Sequence, residues 1–76
     1  MPKLPTLSGL ELVKIFAQIG YQSDHQTGSH IILRQISSPH RRLTIPLHKE
    51  LSKGTLRAII RQSGLTREEF LILLNN

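Results

Sequence analysis

Apolar residues recur at helical spacing near the start of the chain, after residues 1–7, whose two prolines favour an extended arm. The apolar positions that follow three or four residues apart are Leu12, Ile15, Phe16 and Ile19. Ser8 stands before them with Glu11 three residues later, which is the spacing of a capping box. Gly20 is a typical helix stop. The pattern predicts a first amphipathic helix over residues 8–19.

Strand-like patterns replace the helical period between residues 21 and 48. The pair Thr27-Gly28 is a turn signal between two such segments, roughly 21–26 and 29–36. Apolar and other residues then alternate, as in a half-buried strand, through Arg42, Leu43, Thr44, Ile45, Pro46 and Leu47. Pro46 cannot donate to a sheet, so this strand is predicted to lie at an edge or to stop early. Short loops favour an antiparallel meander of three strands.

Two further helices are predicted in the last third of the chain. Ser52 is a suitable N-cap for a helix that ends at Gly64 and buries Leu56, Ile59 and Ile60. Thr66 and Glu69 form a second capping box, which introduces a short helix through Phe70, Leu71, Leu73 and Leu74. The order is helix, three strands, helix and short helix. Helices from both ends would cover one face of the sheet, which is an α+β arrangement.

Size and composition restrict the class of protein. Residues 1–76 suffice for one domain with a modest core, since 38% of them are hydrophobic. There is no cysteine, which excludes disulfides and cysteine metal sites. The longest apolar runs, such as Leu71–Leu74, are too short to span a bilayer, and no signal peptide is apparent. We expect a soluble, cytoplasmic protein without a membrane partner.

The positive charge is concentrated on the second predicted helix. Ten Lys and Arg against five Asp and Glu give a formal charge of +5, which favours a nucleic acid or an acidic protein as partner. Lys53, Arg57 and Arg61 recur every four residues, and Lys49 lies just before the helix. No acidic residue interrupts them, and the helix N-terminus is itself a favourable phosphate site. The alternative is an ordinary solvated face.

Aromatic residues do not accompany these charges. There is no Trp, Tyr21 is the only Tyr, and both Phe residues lie on apolar helix faces. This composition argues against a stacking platform for single-stranded bases. Contacts to the backbone and to the shape of RNA are then expected to dominate.

Four histidines, His25, His30, His40 and His48, are the candidates for chemistry. They lack the paired spacing of a zinc site, so no metal is predicted. His40 falls in a basic loop and is expected to be solvated. His25 and His48 lie near strand ends and could be either surface residues or site residues. His30 follows Gly28-Ser29 at the start of a strand, where an imidazole can accept a proton from a ribose hydroxyl near neutral pH. A structural role for His30 is the alternative, and the apolar run 31–33 leaves its face undecided.

Three segments in this order resemble the HicA toxins, the RNA-cleaving partners in HicA–HicB toxin–antitoxin systems. They are Pro2-Lys3-Leu4-Pro5 with Ser8-Gly9, then Gly28-Ser29-His30, and Gly54-Thr55-Leu56-Arg57 continuing to Gly64-Leu65 and Glu69-Phe70-Leu71. The resemblance implies a fold like that of double-stranded-RNA-binding domains. It also implies that His30 is the catalytic histidine and Gly28 its accompanying glycine, and that a HicB-like antitoxin is the partner.

The leading hypothesis is therefore a toxin endoribonuclease that cleaves mRNA without a metal or another cofactor. His30 would activate the ribose 2′-hydroxyl, and the RNA-binding residues would be Gly28, Ser29, Lys49, Lys53, Arg57 and Arg61. The group that protonates the leaving oxygen stays open among His25, His48 and a lysine. The alternatives are a non-catalytic RNA-binding module of the same fold and a protein-interaction domain whose basic face meets an acidic partner.

Overall fold

The computed structural model describes residues 4–75 and has the predicted order of elements. They are α1 (Gly9–Ala17), β1 (Tyr21–Thr27), β2 (His30–Gln35), β3 (Arg42–Pro46), α2 (Lys53–Ser63) and α3 (Arg67–Leu74). The predicted arm falls partly outside the described residues. The later part of the arm packs against the domain, because Leu4 and Leu7 are only 4% and 5% exposed and belong to the core. None of the helices in this part of the chain is long and apolar enough to cross a membrane.

Both predicted capping boxes are formed. The Ser8 hydroxyl accepts from the Glu11 N–H at 3.1 Å, and the Ser8 N–H donates to the Glu11 carboxylate at 2.9 Å. Because the Ser8 hydrogen bonds favour the ionised carboxylate of Glu11, they hold the pKa of this group below its usual value. Thr66 and Glu69 repeat the arrangement at the start of α3. Helix α2 ends as predicted at Gly64, whose φ of 82° lies in the left-handed region that favours glycine.

The sheet is an antiparallel meander in the order β1-β2-β3, so β3 is an edge strand, as Pro46 predicted. A two-residue loop, Gly28-Ser29, joins β1 to β2, and the φ of 53° at Gly28 is the positive value that type II′ hairpins need there. The pairing of β1 with β2 shifts between Ser23 and His25. This shift is a β-bulge, in which Asp24 is the extra residue.

All three helices contribute to a core on one face of the sheet. Strand side chains in this core are Tyr21, Ile31, Leu33, Leu43 and Ile45, and the helices add Leu12, Ile15, Phe16, Leu56, Ile59, Ile60 and Phe70. Residues that are directly opposite each other on neighbouring strands lie on the same face of the sheet. The register therefore also identifies the residues on the face away from the core. This face carries the rows Thr27–His30–Pro46, His25–Ile32–Thr44 and Gln22–Arg34–Arg42. We call it the open face.

The hairpin turn, the segment after β3 and the start of α1 meet at one end of the sheet, which we call the site end. The Leu47 N–H donates to the Ser29 carbonyl at 2.7 Å, and the Gly9 N–H donates to the His48 carbonyl at 3.0 Å. Gly9 is buried there, and a Cβ atom on it would overlap the carbonyl oxygen of Pro46. This close approach requires glycine as the first residue of α1.

Candidate functional site

His30 is the first residue of β2 and lies on the open face at the site end. It pairs with Thr27 on β1 and with Pro46 on β3, so its backbone is held between two neighbouring strands. The residue is half-buried, whereas Ile31 beside it points into the core. The register thus decides the question that the apolar run 31–33 left open. Because no core packing depends on it, the imidazole is free to meet a ligand on the open face.

His25 lies on the open face too, opposite Ile32 and next to the His30 row. Its Nδ1 lies 3.0 Å from the Oδ2 atom of Asp24, the extra residue of the bulge. Among the described residues, no other basic side chain lies this close to a carboxylate, and the two side chains are 52% and 34% exposed. From the sequence, His25 could be either a surface or a site residue, and its contact with Asp24 was not predicted.

The other two histidines lie elsewhere. His48 is exposed in the segment that connects β3 to α2 at the site end, where its carbonyl binds α1. His40 is exposed, as predicted, and lies in the β2–β3 loop with a φ of 57°. Its ring Nδ1 lies 3.2 Å from the Gln35 carbonyl oxygen. Gln35 is the last residue of β2, so His40 and His30 are at opposite ends of the sheet.

The basic residues of α2 occupy a different layer from His30. Lys53, Arg57 and Arg61 are all exposed, while Leu56, Ile59 and Ile60 attach the helix to the core face. A helix rises about 1.5 Å per residue, so Arg57 and Arg61 lie about 6 and 12 Å beyond Lys53 along its axis. The far end of α2 meets Arg41, whose Nη1 donates to the Gln62 carbonyl at 3.4 Å. Of the four basic residues predicted to bind RNA, Lys49 and Lys53 are therefore nearest to the site end.

The N-terminus of α2 has the features that favour an anion. The Ser52 hydroxyl accepts from the Thr55 N–H at 3.1 Å, as expected for an N-cap, and the first turn has no acidic residue. In the part of the chain that the structure describes, no Lys or Arg forms a salt bridge with a carboxylate. The positive end of the helix dipole thus adds to the charges of Lys49 and Lys53.

Two arginines on the open face were not among the site residues predicted from the sequence. Arg34 and Arg42 are exposed and directly opposite each other on β2 and β3. The alternation in β3 placed Arg42 on the polar face, but Arg34 joins it only because of the register with β2. A shallow cavity of about 300 Å³ beside Arg34 extends to Gln22, Asp24 and His40.

A second cavity, of about 330 Å³, lies beside α2. Its apolar lining comes from Leu4, Ile60 and Leu65, and its charged lining comes from Arg57, Arg61 and Arg67. The Nε atom of Arg67 is buried and has no hydrogen-bond partner among the described residues. The charge of this surface favours an anionic partner.

Comparison with known proteins identifies relatives of the chain. A family model described as the HicA toxin of bacterial toxin–antitoxin matches residues 9–65. A solved chain from a toxin–antitoxin complex from Streptococcus pneumoniae is similar at 37% sequence identity, with a TM-score of 0.64. The similarity covers 78% of this chain and 98% of that chain. The search of curated proteins found no match. The family match includes every residue that the sequence analysis assigned to the site.

Proposed function

The chain belongs to the HicA toxins of bacterial toxin–antitoxin systems, and on this premise we propose that it is an endoribonuclease that cleaves mRNA without a metal. The observation that carries the proposal is the position of His30. A tight hairpin presents this imidazole on a face that no helix covers, at the same end of the sheet as Lys49 and Lys53. A general base needs such access to its substrate, together with a rigid backbone.

The reaction begins with transfer of a proton from a ribose 2′-hydroxyl to the imidazole of His30. The 2′-oxygen then attacks the adjacent phosphorus, and the bond from phosphorus to the 5′-oxygen breaks. Gly28 and Ser29 allow the RNA backbone to approach the hairpin closely, since Gly28 has open space around its Cα. Lys49 and Lys53, at the same end of the sheet but on its helix side, bind phosphates of the RNA strand and hold the cleaved linkage near His30. The products are a 2′,3′-cyclic phosphate and a 5′-hydroxyl.

The direct test is incubation of the purified protein with end-labelled RNA in the presence of EDTA. Cleavage that yields 2′,3′-cyclic phosphate and 5′-hydroxyl ends supports the proposal. A protein that shifts the RNA in a gel but never shortens it would instead be the non-catalytic RNA-binding module. Cleavage that stops in EDTA and returns with a divalent metal would refute the metal-independent mechanism.

The basic residues of α2 extend the RNA-binding surface away from His30. Replacing Lys53, Arg57 and Arg61 together with glutamine should reduce the slope of log binding constant against log salt by about 2, since each phosphate contact with a single strand contributes about 0.7. Binding is measured in the His30→Gln background, in which RNA stays intact. Among the single variants, the loss in cleavage rate should be largest for Lys53 and smallest for Arg61. Lys14→Gln, which removes one charge from α1, is the control for the single variants. An unchanged slope in the folded triple variant would show that the α2 charges are only a solvated face.

The protein partner is a HicB-like antitoxin that carries acidic side chains. To silence the toxin, it covers His30 and pairs with basic residues, because unpaired charges buried in an interface cost several kcal/mol. Association with the protein encoded by an adjacent HicB-like frame should therefore weaken as salt rises. Titration of RNA cleavage with that protein measures the inhibition. Full cleavage activity in a saturated complex would contradict occlusion of the site.

A further inference from the structure

The β-bulge in β1 decides which face of the sheet carries His25. Ser23 lies opposite Leu33 on the core face, and His25 lies opposite Ile32 on the open face. Without the extra residue Asp24, strict alternation would pair His25 with Ile31 and turn its side chain towards the core. The bulge instead brings a second imidazole to the face that carries His30. Bulges that redirect a side chain in this way are common beside active sites.

His25 and His30 are diagonal neighbours on this face. His25 is directly opposite Ile32, and His30 is two residues from Ile32 on the same strand. Diagonal positions in an antiparallel pair are about 7–8 Å apart, within reach of long side chains. Each imidazole extends several ångströms from its Cα, so both rings can reach a phosphate group that lies over this pair of positions. His25 and His30 can therefore contact opposite sides of one phosphodiester.

Asp24 gives the ring of His25 a defined orientation. The 3.0 Å contact between its carboxylate and Nδ1 favours a proton on Nδ1 and leaves Nε2 directed away from the carboxylate. In the doubly protonated ring the Nδ1–H donates to this carboxylate, and the Nε2–H is then the group that can give up a proton. Both side chains are accessible from solvent, so the pair is open to RNA.

We propose that His25 is the general acid of the cleavage reaction and that Asp24 is its positioning residue. This inference rests on the proposed ribonuclease function, with His30 as the base. As the 2′-oxygen attacks phosphorus, the Nε2 proton of His25 passes to the departing 5′-oxygen. His30 gains one proton, His25 loses one, and the 5′-hydroxyl leaves neutral. Exchange with water then restores both histidines.

The remaining histidines are less suitable for this role. His40 lies beyond the far end of β2, and the distance from His30 to Gln35, five residues further along that strand, is already about 16 Å. His48 lies at the site end but in the segment after β3, outside the paired strands. Among the four histidines, only His25 shares both the open face and the neighbouring row with His30.

The test uses a leaving group that needs no proton. Cleavage products of the parent protein identify a cut linkage, and a short RNA containing it is made with either oxygen or sulfur at the 5′-bridging position. A thiolate leaves without protonation, so it makes a general acid unnecessary. His25→Gln should slow cleavage of the oxygen substrate by about 100-fold or more but stay within about tenfold of the parent on the sulfur substrate. His30→Gln should be slow on both, and His48→Gln should resemble the parent on both.

Each outcome decides between the proposals. If the parent protein cuts no RNA, the ribonuclease function is wrong and the role of His25 falls with it. If the parent cuts RNA and His25→Gln is equally slow on both substrates, or unimpaired on both, only the general-acid assignment is overturned. Rescue of His48→Gln by sulfur would transfer the role to His48. Asp24→Asn should show a smaller defect that sulfur also relieves, and combining it with His25→Gln should add little further loss.

Discussion

Replacement of His30 by glutamine should slow RNA cleavage by about 100- to 10,000-fold, the usual contribution of a general base. Glutamine keeps polarity and much of the volume but cannot accept and release a proton near neutral pH. The fold should be retained, because His30 is half-buried on the open face and its backbone pairs with Thr27 and Pro46 whatever the side chain. Initial rates on labelled RNA, measured beside thermal unfolding curves, test this expectation.

A matched control comes from the far end of the sheet. His40→Asn removes another exposed imidazole and keeps a residue type that tolerates the positive φ of 57° at that position. This variant should cleave RNA at the parental rate. Unfolding curves are needed for both, because a core of this size leaves little reserve of stability. If His30→Gln unfolds like the parent and also cleaves like it, His30 has a structural role and the catalytic assignment is wrong.

The helices were predictable because their signals are local. Capping boxes at Ser8 and Thr66 act through side chains three residues away, and the apolar spacing marks the buried side of each helix. Before α1 the prediction was limited to an extended arm, and it did not include the packing of Leu4 and Leu7 into the core from a segment without regular structure. Such a segment has no period, so the burial of its apolar residues depends on contacts distant in sequence.

The strands were predictable in order but not in orientation. Ile31, Ile32 and Leu33 are all apolar, so alternation could not say which face of β2 is buried. The register with β3 resolves this, since Leu43 and Ile45 alternate clearly with polar neighbours. The bulge at Asp24 is even harder to predict from the sequence. One extra residue moves every later side chain of β1 to the opposite face of the sheet. His25 could therefore not be assigned to the His30 face from the sequence. Arg34, four residues after His30 in the same strand, shares the face of His30 by alternation, but whether that face is open depends on the register with β3.

Substitution of Gly9 by alanine should lower the free energy of unfolding by about 1–3 kcal/mol, the usual effect of overpacking. A Cβ atom at Gly9 would overlap the Pro46 carbonyl, which is main chain and cannot move aside alone. For a domain of this size, each kcal/mol lowers the melting temperature by about 4–8 °C. Because Pro46 pairs with His30, the displaced end of β3 should also slow RNA cleavage at temperatures where the variant is still folded.

Gly54→Ala is the matched control for this prediction. Gly54 also lies in the first turn of a helix, but a Cβ atom on it would have nothing within 4 Å. Alanine has the higher helix propensity, so this variant should be more stable than the parent by up to about 1 kcal/mol. The same substitution is thus expected to lower the free energy of unfolding at the start of α1 and to raise it at the start of α2. If Gly9→Ala melts at or above the parental temperature, as Gly54→Ala should, then α1 does not depend on close contact with β3, and the packing that holds the site end together has been misassigned.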